Sequence, residues 1–242
     1  MTLAMKSHMT DWKLDYRITR GIDALKLKLK NDLNQGALHV GWKLAFGSPA
    51  GLSNLQIAKP LVGYLLDRNE ISTGSTIKIS TWSKPVGEAE IAIYFGKDIP
   101  HSASTNDVLS CISALGPAIE IADLDPLTTD PESILAGDIY QRHYILGQRD
   151  TSRCGGNIEG LAAQVMLPNG LTVTVENLQE LTGQIPMILH HFAQVAQEIN
   201  GGVKAGQFLL IGSIVPPIAI SAGESFSYSL GDYPTLQVGF SS

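Results

Sequence analysis

The chain has 242 residues, of which 44% are hydrophobic and 17% charged, an ordinary composition for a globular protein with one substantial core. Its formal net charge of -6 provides no basic surface for phosphate backbones or acidic lipids, so we expect neither nucleic acid nor membrane as a partner. The first residues are charged and do not resemble a secretion signal, and the apolar run 208–222 is too short to cross a bilayer. These features predict a cytoplasmic protein, with Cys111 and Cys154 reduced and structural.

The first predicted elements are a helix and a strand. Residues 15–33 have helical apolar spacing, although the LKLKL stretch at 25–29 alternates as a strand would. Residues 37–46 alternate as a strand, with Lys43 and its small neighbours on one face. The other face of that strand would carry Val40, Trp42, Leu44 and Phe46.

The remaining chain predicts many short strands and few helices. In order, we expect a short helix and extended chain over 52–66, a strand over 75–81, strands around Glu88 and Glu120 joined by a helix from Asn106 to about Leu115, a surface loop over 124–137, an extended segment over 140–146, a hairpin over 160–176, a helix over 185–199, a strand over 208–211 and a hairpin over 226–240. This pattern indicates an α+β or mainly β fold. We divide the chain into a short, partly helical N-terminal segment, residues 1–35, and a single domain, residues 36–242.

Three glutamates stand in two predicted strands with similar surroundings, Pro85–Gly96 and Pro117–Asp123. Alternation in a strand places Glu88 and Glu90 on one face, and the apolar run that follows leaves little water to separate their charges. The alanines that flank Glu120 leave room for an ion. Oxygen ligands suit Mg2+, whereas the absence of His and Cys from both segments argues against zinc. The pattern indicates a metal site, with an ordinary solvated face as the alternative.

Lys43 has two interpretations from the sequence alone. It is either a charge that guards an edge strand or a group that binds or protonates an anion. The histidines favour structural roles, because His143 lies in a strand while His190 and His191 lie in an amphipathic helix. The sequence contains no GxGxxG, Walker, GxSxG or HExxH motif, so nucleotide binding, serine hydrolysis and zinc proteolysis have no local support.

From about Gly36 onward, the chain resembles one family in the order and spacing of its motifs. The segments are GWKLA at 41–45, EAEIA at 88–92 with GKDIP at 96–100, PAIEIAD at 117–123, and GQFLLIGS at 206–213 with AGE at 222–224. They are similar to the 2-keto-4-pentenoate hydratase and 4-oxalocrotonate decarboxylase family, within the fumarylacetoacetate hydrolase superfamily. The resemblance implies a mixed-β fold like the C-terminal domain of that superfamily, with few helices, so that residues 36–242 form a single metal-binding catalytic domain.

The same resemblance implies a lyase. Glu88, Glu90 and Glu120 would hold Mg2+ or Mn2+, and a small unsaturated 2-oxo or 2-hydroxydienoic acid would chelate the ion. The metal would act as a Lewis acid that stabilises the enolate as water adds, and Lys43 would orient or protonate that oxyanion. The implied substrate contacts are Gly212, Ser213 and Tyr140. The family also implies a homo-oligomer, with a complex with a related decarboxylase or hydratase as the alternative.

Three positions depart from the hydratase pattern. The chain has Leu61 where hydratases carry an acid in a Gln-Pro-Asp-Phe-Gly segment, Tyr140-Gln141 where they carry a Ser-Cys pair, and Ile211 where the family has a threonine. We therefore expect hydration of a 2-keto-4-pentenoate-like acid, with decarboxylation of a 4-oxalocrotonate-like acid or a non-catalytic partner subunit as alternatives. Hydrolysis of a C–C bond in an acylpyruvate is disfavoured, because the early region lacks a histidine and acid pair that would activate water.

Overall fold

Two β-sheets and a set of helices make up the part of the chain that the structure, a computed structural model, describes, residues 11–242. The expectation about a secretion signal concerns residues 1–10, which lie outside this range. In chain order the strands are β1 (His39–Ala45), β2 (Leu61–Leu66), β3 (Thr76–Lys78), β4 (Pro85–Phe95), β5 (Ile112–Asp123), β6 (Gln141–Leu146), β7 (Ala163–Met166), β8 (Thr172–Val175), β9 (Phe208–Leu210), β10 (Ile218–Ala219), β11 (Ser225–Leu230) and β12 (Leu236–Ser241). The helices are α1 (Tyr16–Asn34), α2 (Pro49–Leu55), α3 (Thr105–Ser110), α4 (Pro131–Ala136) and α5 (Ile185–Asn200).

The larger sheet has the strand order β2-β1-β9-β4-β5-β6, and β10 adds to β4. All of its pairs are antiparallel except β1 with β9. The smaller sheet has the order β3-β12-β11-β7-β8 and contacts β5. The predicted fold class, a mixed-β fold with few helices, is confirmed.

The larger sheet has two different faces. One face is strongly apolar and packs against α5, where Phe192 contacts Trp42 and Phe95 edge-on and face-on, respectively. The other face carries a smaller cluster that includes Ala92, Ala118 and Leu210. Lys43, Glu90 and Glu120 share this second face, because they pair with or alternate with members of that cluster.

The larger sheet curls so strongly that its two end strands approach each other. Tyr144 of β6 donates its hydroxyl to the carbonyl of Leu66 in β2 at 3.1 Å, and its own carbonyl accepts from the amide of Ile71 at 2.9 Å. The Asp138 carboxyl, just before β6, accepts from the amide of Tyr64 in β2 at 3.0 Å. The second face is therefore the inside of a nearly closed sheet, and its polar groups are shielded from water.

Several elements differ from the sequence predictions. The LKLKL stretch is helical, because Leu25 and Leu29 fall one turn apart and are both buried within α1. The helix predicted from Asn106 to Leu115 ends at Ser110, because a capping box of Ser104 and Asp107 starts it and pairing with β4 extends β5 back to Ile112.

The expected surface loop over 124–137 contains α4. Asp130 caps this helix through hydrogen bonds to the amides of Glu132 and Ser133, and Pro131 occupies its first turn. Ile134 and Leu135 are buried, and α4 packs against α1. The strand predicted over 75–81 was also wrong in extent, because only Thr76–Lys78 is a strand and it belongs to the smaller sheet beside β12.

Val40 does not share a face with Trp42 as the alternation predicted. A register shift between His39 and Gly41 interrupts the pairing of β1 with β2. Such a bulge reverses the side-chain alternation locally, so Val40 packs with the inner cluster while Trp42 belongs to the main core. Past the bulge the alternation resumes and directs Lys43 inward.

Candidate metal and substrate site

Three carboxylates meet on the inner face of the larger sheet. Glu88 lies directly opposite Glu120 in the antiparallel pair of β4 and β5, and Glu90 lies opposite Ala118. Opposed and alternate residues of a sheet share a face, so local strand geometry brings the three together as the sequence predicted. One carboxylate oxygen from each lies within 4.8 Å of the others. The cluster offers only oxygen ligands, which suits a hard divalent cation.

Burial makes this cluster unfavourable without a cation. Glu90 and Glu120 are 0% and 1% exposed. Burial, reinforced by the charge of Glu120, raises the pKa of Glu88 to about 7 and raises the pKa of Glu90 well above its usual value. Among the described residues, Oε1 of Glu90 and Oε2 of Glu120 find no hydrogen-bond donor. Buried carboxylate oxygens without donors fit a bound metal ion, so Glu88, Glu90 and Glu120 could hold one.

Lys43 reaches the same cluster from β1. Its side chain is 3% exposed, and its ammonium donates hydrogen bonds to Glu120 and, at 3.0 Å, to the carbonyl of Ile139. Burial alone would lower the pKa of Lys43, but the carboxylates of Glu120 and Glu88 outweigh burial and the pKa is raised. Lys43 is thus an ammonium ion, and the guard role on an edge strand is wrong because β1 lies inside the sheet between β2 and β9.

A cavity of about 570 Å³ opens onto Lys43 and Glu88. Gly212, Ser213 and Tyr140 line it, so the structure brings every site residue predicted from the sequence to the glutamate cluster or to this cavity. The amide of Gly212 donates to Oε2 of Glu90 at 2.8 Å, which its positive φ of +99° permits. The hydroxyl of Tyr140 donates to the carbonyl of Pro126 at 3.0 Å.

Sequence reasoning missed Asp138 and Ile139. The Asp138 carboxyl is buried beside Lys43, and burial raises its pKa to about 8. Both residues follow a stretch rich in Asp, Pro and Thr, which favours a surface loop, and no local pattern marks either of them as buried. The two apolar residues that depart from the hydratase pattern lie in different places. Leu61 packs in the main core, while Ile211 lies in the wall of the cavity.

Named proteins that this chain resembles are enzymes of one group. It is 24% identical over 191 residues to a 4-oxalocrotonate decarboxylase of Pseudomonas putida, covering 78% of this chain and 72% of that protein. It is likewise 24% identical over 216 residues to a 2-keto-4-pentenoate hydratase of Paraburkholderia xenovorans (strain LB400), covering 87% and 79% of the two chains.

Within residues 11–242, no helix combines the length and the apolar character that crossing a membrane requires.

Solved structures share the fold. A 4-oxalocrotonate decarboxylase from Pseudomonas putida G7, complexed with magnesium and adipate, superimposes with a TM-score of 0.82 at 19% identity, covering 92% of this chain and 86% of that one. A 2-hydroxyhepta-2,4-diene-1,7-dioate isomerase from Mycobacterium marinum superimposes with a TM-score of 0.64 at 13% identity, covering 85% and 76%. The fumarylacetoacetate (FAA) hydrolase C-terminal family matches residues 44–240, and the chain therefore belongs to that family.

Proposed function

We propose that this protein is a divalent-metal-dependent lyase that adds water to a small unsaturated 2-oxo acid resembling 2-keto-4-pentenoate. One observation carries the proposal: a cluster of three carboxylates, two of them buried and each with an unsatisfied oxygen, adjoins a buried ammonium ion at the end of a cavity. The hydratases and decarboxylases that the chain resembles support the reaction class.

The chain's own residues have distinct roles in this proposal. Glu88, Glu90 and Glu120 would hold Mg2+ or Mn2+, which when bound supplies Lewis-acid polarisation of the 2-oxo group. Among the described residues, Lys43 uses two of its three N–H donors, on Glu120 and Ile139, which leaves the third to bind the oxygen on which negative charge develops. That contact would strengthen in the transition state, and Lys43 is therefore the catalytic residue of the proposal.

The wall of the cavity favours a substrate with one carboxylate. Lys43 is the single cationic side chain among the described residues that line it. Most of the wall is apolar, and it includes Phe46, Leu124, Ile211 and Val215. A substrate with a second carboxylate would find no further cationic side chain for that charge in the described wall, which is unfavourable in a largely apolar cavity. A monocarboxylate with an apolar tail fits better, and this supports hydration over decarboxylation of a dicarboxylic acid.

Decarboxylation of a 4-oxalocrotonate-like acid is the second candidate. It is favoured by the 4-oxalocrotonate decarboxylases among the similar proteins, one of which was solved with adipate, a dicarboxylate. The two reactions differ in a measurable product, because decarboxylation releases CO2 and hydration does not.

The experiment incubates the purified protein and Mg2+ or Mn2+ with 2-hydroxypenta-2,4-dienoate and follows the loss of diene absorbance. A parallel reaction with 4-oxalocrotonate measures CO2 release. We expect metal-dependent loss of the diene and little CO2, with Glu88→Gln as the inactive comparison. CO2 release alone would favour the decarboxylase, and Mn2+ binding without either reaction would favour the non-catalytic partner subunit.

A further inference from the structure

Three consecutive residues beside Lys43 have left-handed backbone conformations. Asp138, Ile139 and Tyr140 have φ values of 56°, 52° and 64°. Aspartate tolerates this region, but a β-branched residue such as isoleucine rarely adopts it, because Cβ crowds the backbone. Such a turn persists only where its surroundings hold it in place, and conformations of this kind concentrate at functional sites.

The turn is fixed from two sides. On one side it continues the end of α4, where the amides of Asp138 and Ile139 donate to the carbonyls of Leu135 and Ile134 at 2.9 Å each. On the other side the Asp138 carboxyl accepts from the backbone amide of Tyr64 at 3.0 Å. Tyr64 belongs to β2, the end strand of the sheet, so its outward-facing amide has no strand partner. The Asp138 carboxyl satisfies this amide instead.

This arrangement places a backbone carbonyl within hydrogen-bond distance of the Lys43 ammonium. The Ile139 oxygen accepts from the Lys43 ammonium at 3.0 Å, and Glu120 accepts from the same ammonium. Because Gly63 has no side chain, Lys43, Asp138 and Ile139 can pack closely around it. A Cβ at that position would lie 2.9 Å from Oδ1 of Asp138 and 3.1 Å from Cγ of Lys43.

We propose that Asp138 is a positioning residue for Lys43: its carboxyl anchors the left-handed turn to β2, and the anchored turn directs the Ile139 carbonyl at the ammonium. The kinetic consequence rests on the proposed function, in which Lys43 contacts the substrate oxygen. The structural consequence, a fixed Lys43 side chain, does not depend on that function.

Two substitutions of Asp138 test whether its hydrogen bond with the Tyr64 amide holds the turn in place. Asp138→Asn keeps an oxygen acceptor for the Tyr64 amide and tolerates positive φ. Because burial raises the pKa of Asp138 to about 8, its carboxyl is mainly neutral at pH 7, and asparagine resembles that form. Asp138→Gly also tolerates positive φ but removes the acceptor. Only the glycine variant should therefore release the turn.

The first measurement follows Lys43 without any substrate. Protein labelled with 13C at the ε carbon of lysine gives an NMR signal for Lys43, which Lys43→Met identifies by its loss. We expect Asp138→Gly to shift or broaden this signal and Asp138→Asn to leave it in place. Asp32→Asn is the matched control, because Asp32 is also buried and accepts from Tyr64, but through the tyrosine hydroxyl at 2.5 Å. It should leave the Lys43 signal unchanged.

The second measurement is turnover with Mn2+ and 2-hydroxypenta-2,4-dienoate. We expect Asp138→Gly to lower kcat about 10-fold to 100-fold with a smaller change in KM, and Asp138→Asn to stay within about 3-fold of the parent. A lesion confined to folding would lower the amount of active enzyme without moving the NMR signal of Lys43 in the folded fraction.

The outcomes are distinct. An unchanged Lys43 signal in Asp138→Gly, or equal effects of the asparagine and glycine variants, would overturn the proposal. If Asp138→Gly does not fold, Asp138→Ser replaces it, because its hydroxyl lies one bond closer to the backbone than the carboxylate oxygens and loses the contact with the Tyr64 amide, and it should also move the Lys43 signal. Absence of turnover in the parent would overturn the proposed function alone, and the NMR comparison would still decide the role of Asp138.

Discussion

Replacing Glu88 by glutamine should make the metal-free protein more stable at alkaline pH while weakening its response to metal. Burial and the charge of Glu120 raise the pKa of Glu88 from 4.5 to about 7. A carboxyl with a raised pKa binds its proton more tightly in the folded state, so its contribution is favourable below pH 4.5 and is lost as the pH rises to about 7. At 1.36 kcal/mol per pKa unit, this loss is about 3 kcal/mol as an upper value. Glu90 acts in the same direction.

The assay is urea denaturation with EDTA at pH 5 and pH 8. The free energy of unfolding of the parent should fall between the two values, and the fall should be up to about 3 kcal/mol smaller in Glu88→Gln. Mn2+ at about 100 times its Kd should then stabilise the parent by about 2.7 kcal/mol at pH 8, and the variant much less. Glu176→Gln is the matched control, because Glu176 is exposed and distant in sequence from the cluster.

Two results would refute the reasoning separately. If the free energy of unfolding depends equally on pH in the metal-free parent and in Glu88→Gln, the pKa of Glu88 is not raised by folding. Equal stabilisation of both by Mn2+ would show that Glu88 is not a ligand, even if the pH effect is present.

Three other substitutions give further tests. Lys43→Met should lower kcat on 2-hydroxypenta-2,4-dienoate at least about 100-fold without weakening Mn2+ binding in a titration, because it removes a donor to the developing oxyanion but no ligand; an unchanged rate would contradict this. Gln207→Leu should reduce the free energy of unfolding in urea by about 2–4 kcal/mol. The side chain of Gln207 hydrogen-bonds with the Trp42 indole, the His39 carbonyl and the Lys204 amide, and the substitution removes all three bonds. A loss smaller than about 1 kcal/mol would show that this network is dispensable. Tyr140→Phe should raise KM a few-fold with little change in kcat, since it frees the ring from the Pro126 carbonyl, and a larger fall in kcat than rise in KM would place the hydroxyl in the chemistry instead.

The glutamate cluster could be predicted from sequence because it depends on local geometry. Alternation along β4 fixes the relation of Glu88 to Glu90, and the hairpin-like pairing of β4 with β5 places Glu120 opposite. The hairpins around residues 168–170 and 231–234 and the helix α5 were predictable for the same reason, since short-range patterns and turn residues determine them.

Contacts that depend on curvature could not be predicted. Lys43 is three strands away from Glu120 in the sheet order β1-β9-β4-β5. In a flat sheet with strands about 4.8 Å apart, the two backbones would be about 14 Å apart, and side chains that stand perpendicular to the sheet would not bridge that distance. The bond forms only because the sheet curls, and the curl is a property of all its strands. Asp138 illustrates the same limit, because its partner Tyr64 lies at the opposite end of the sheet.

The charge of the enclosed site links its architecture to the choice of substrate. When all three carboxylates are ionised, as a bound cation would favour, they and the Lys43 ammonium sum to a charge of -2, which a divalent cation would balance, and Asp138 adds little charge at pH 7 because its pKa is raised to about 8. Charges in a buried site are tolerated only when they are nearly compensated. A monocarboxylate substrate would add one negative charge to a balanced site, whereas a dicarboxylate would add two against an apolar wall whose single described cation is Lys43. The same enclosure that raises the pKa of Glu88 thus favours the smaller charge, which is why hydration of a monocarboxylic 2-oxo acid is the stronger expectation.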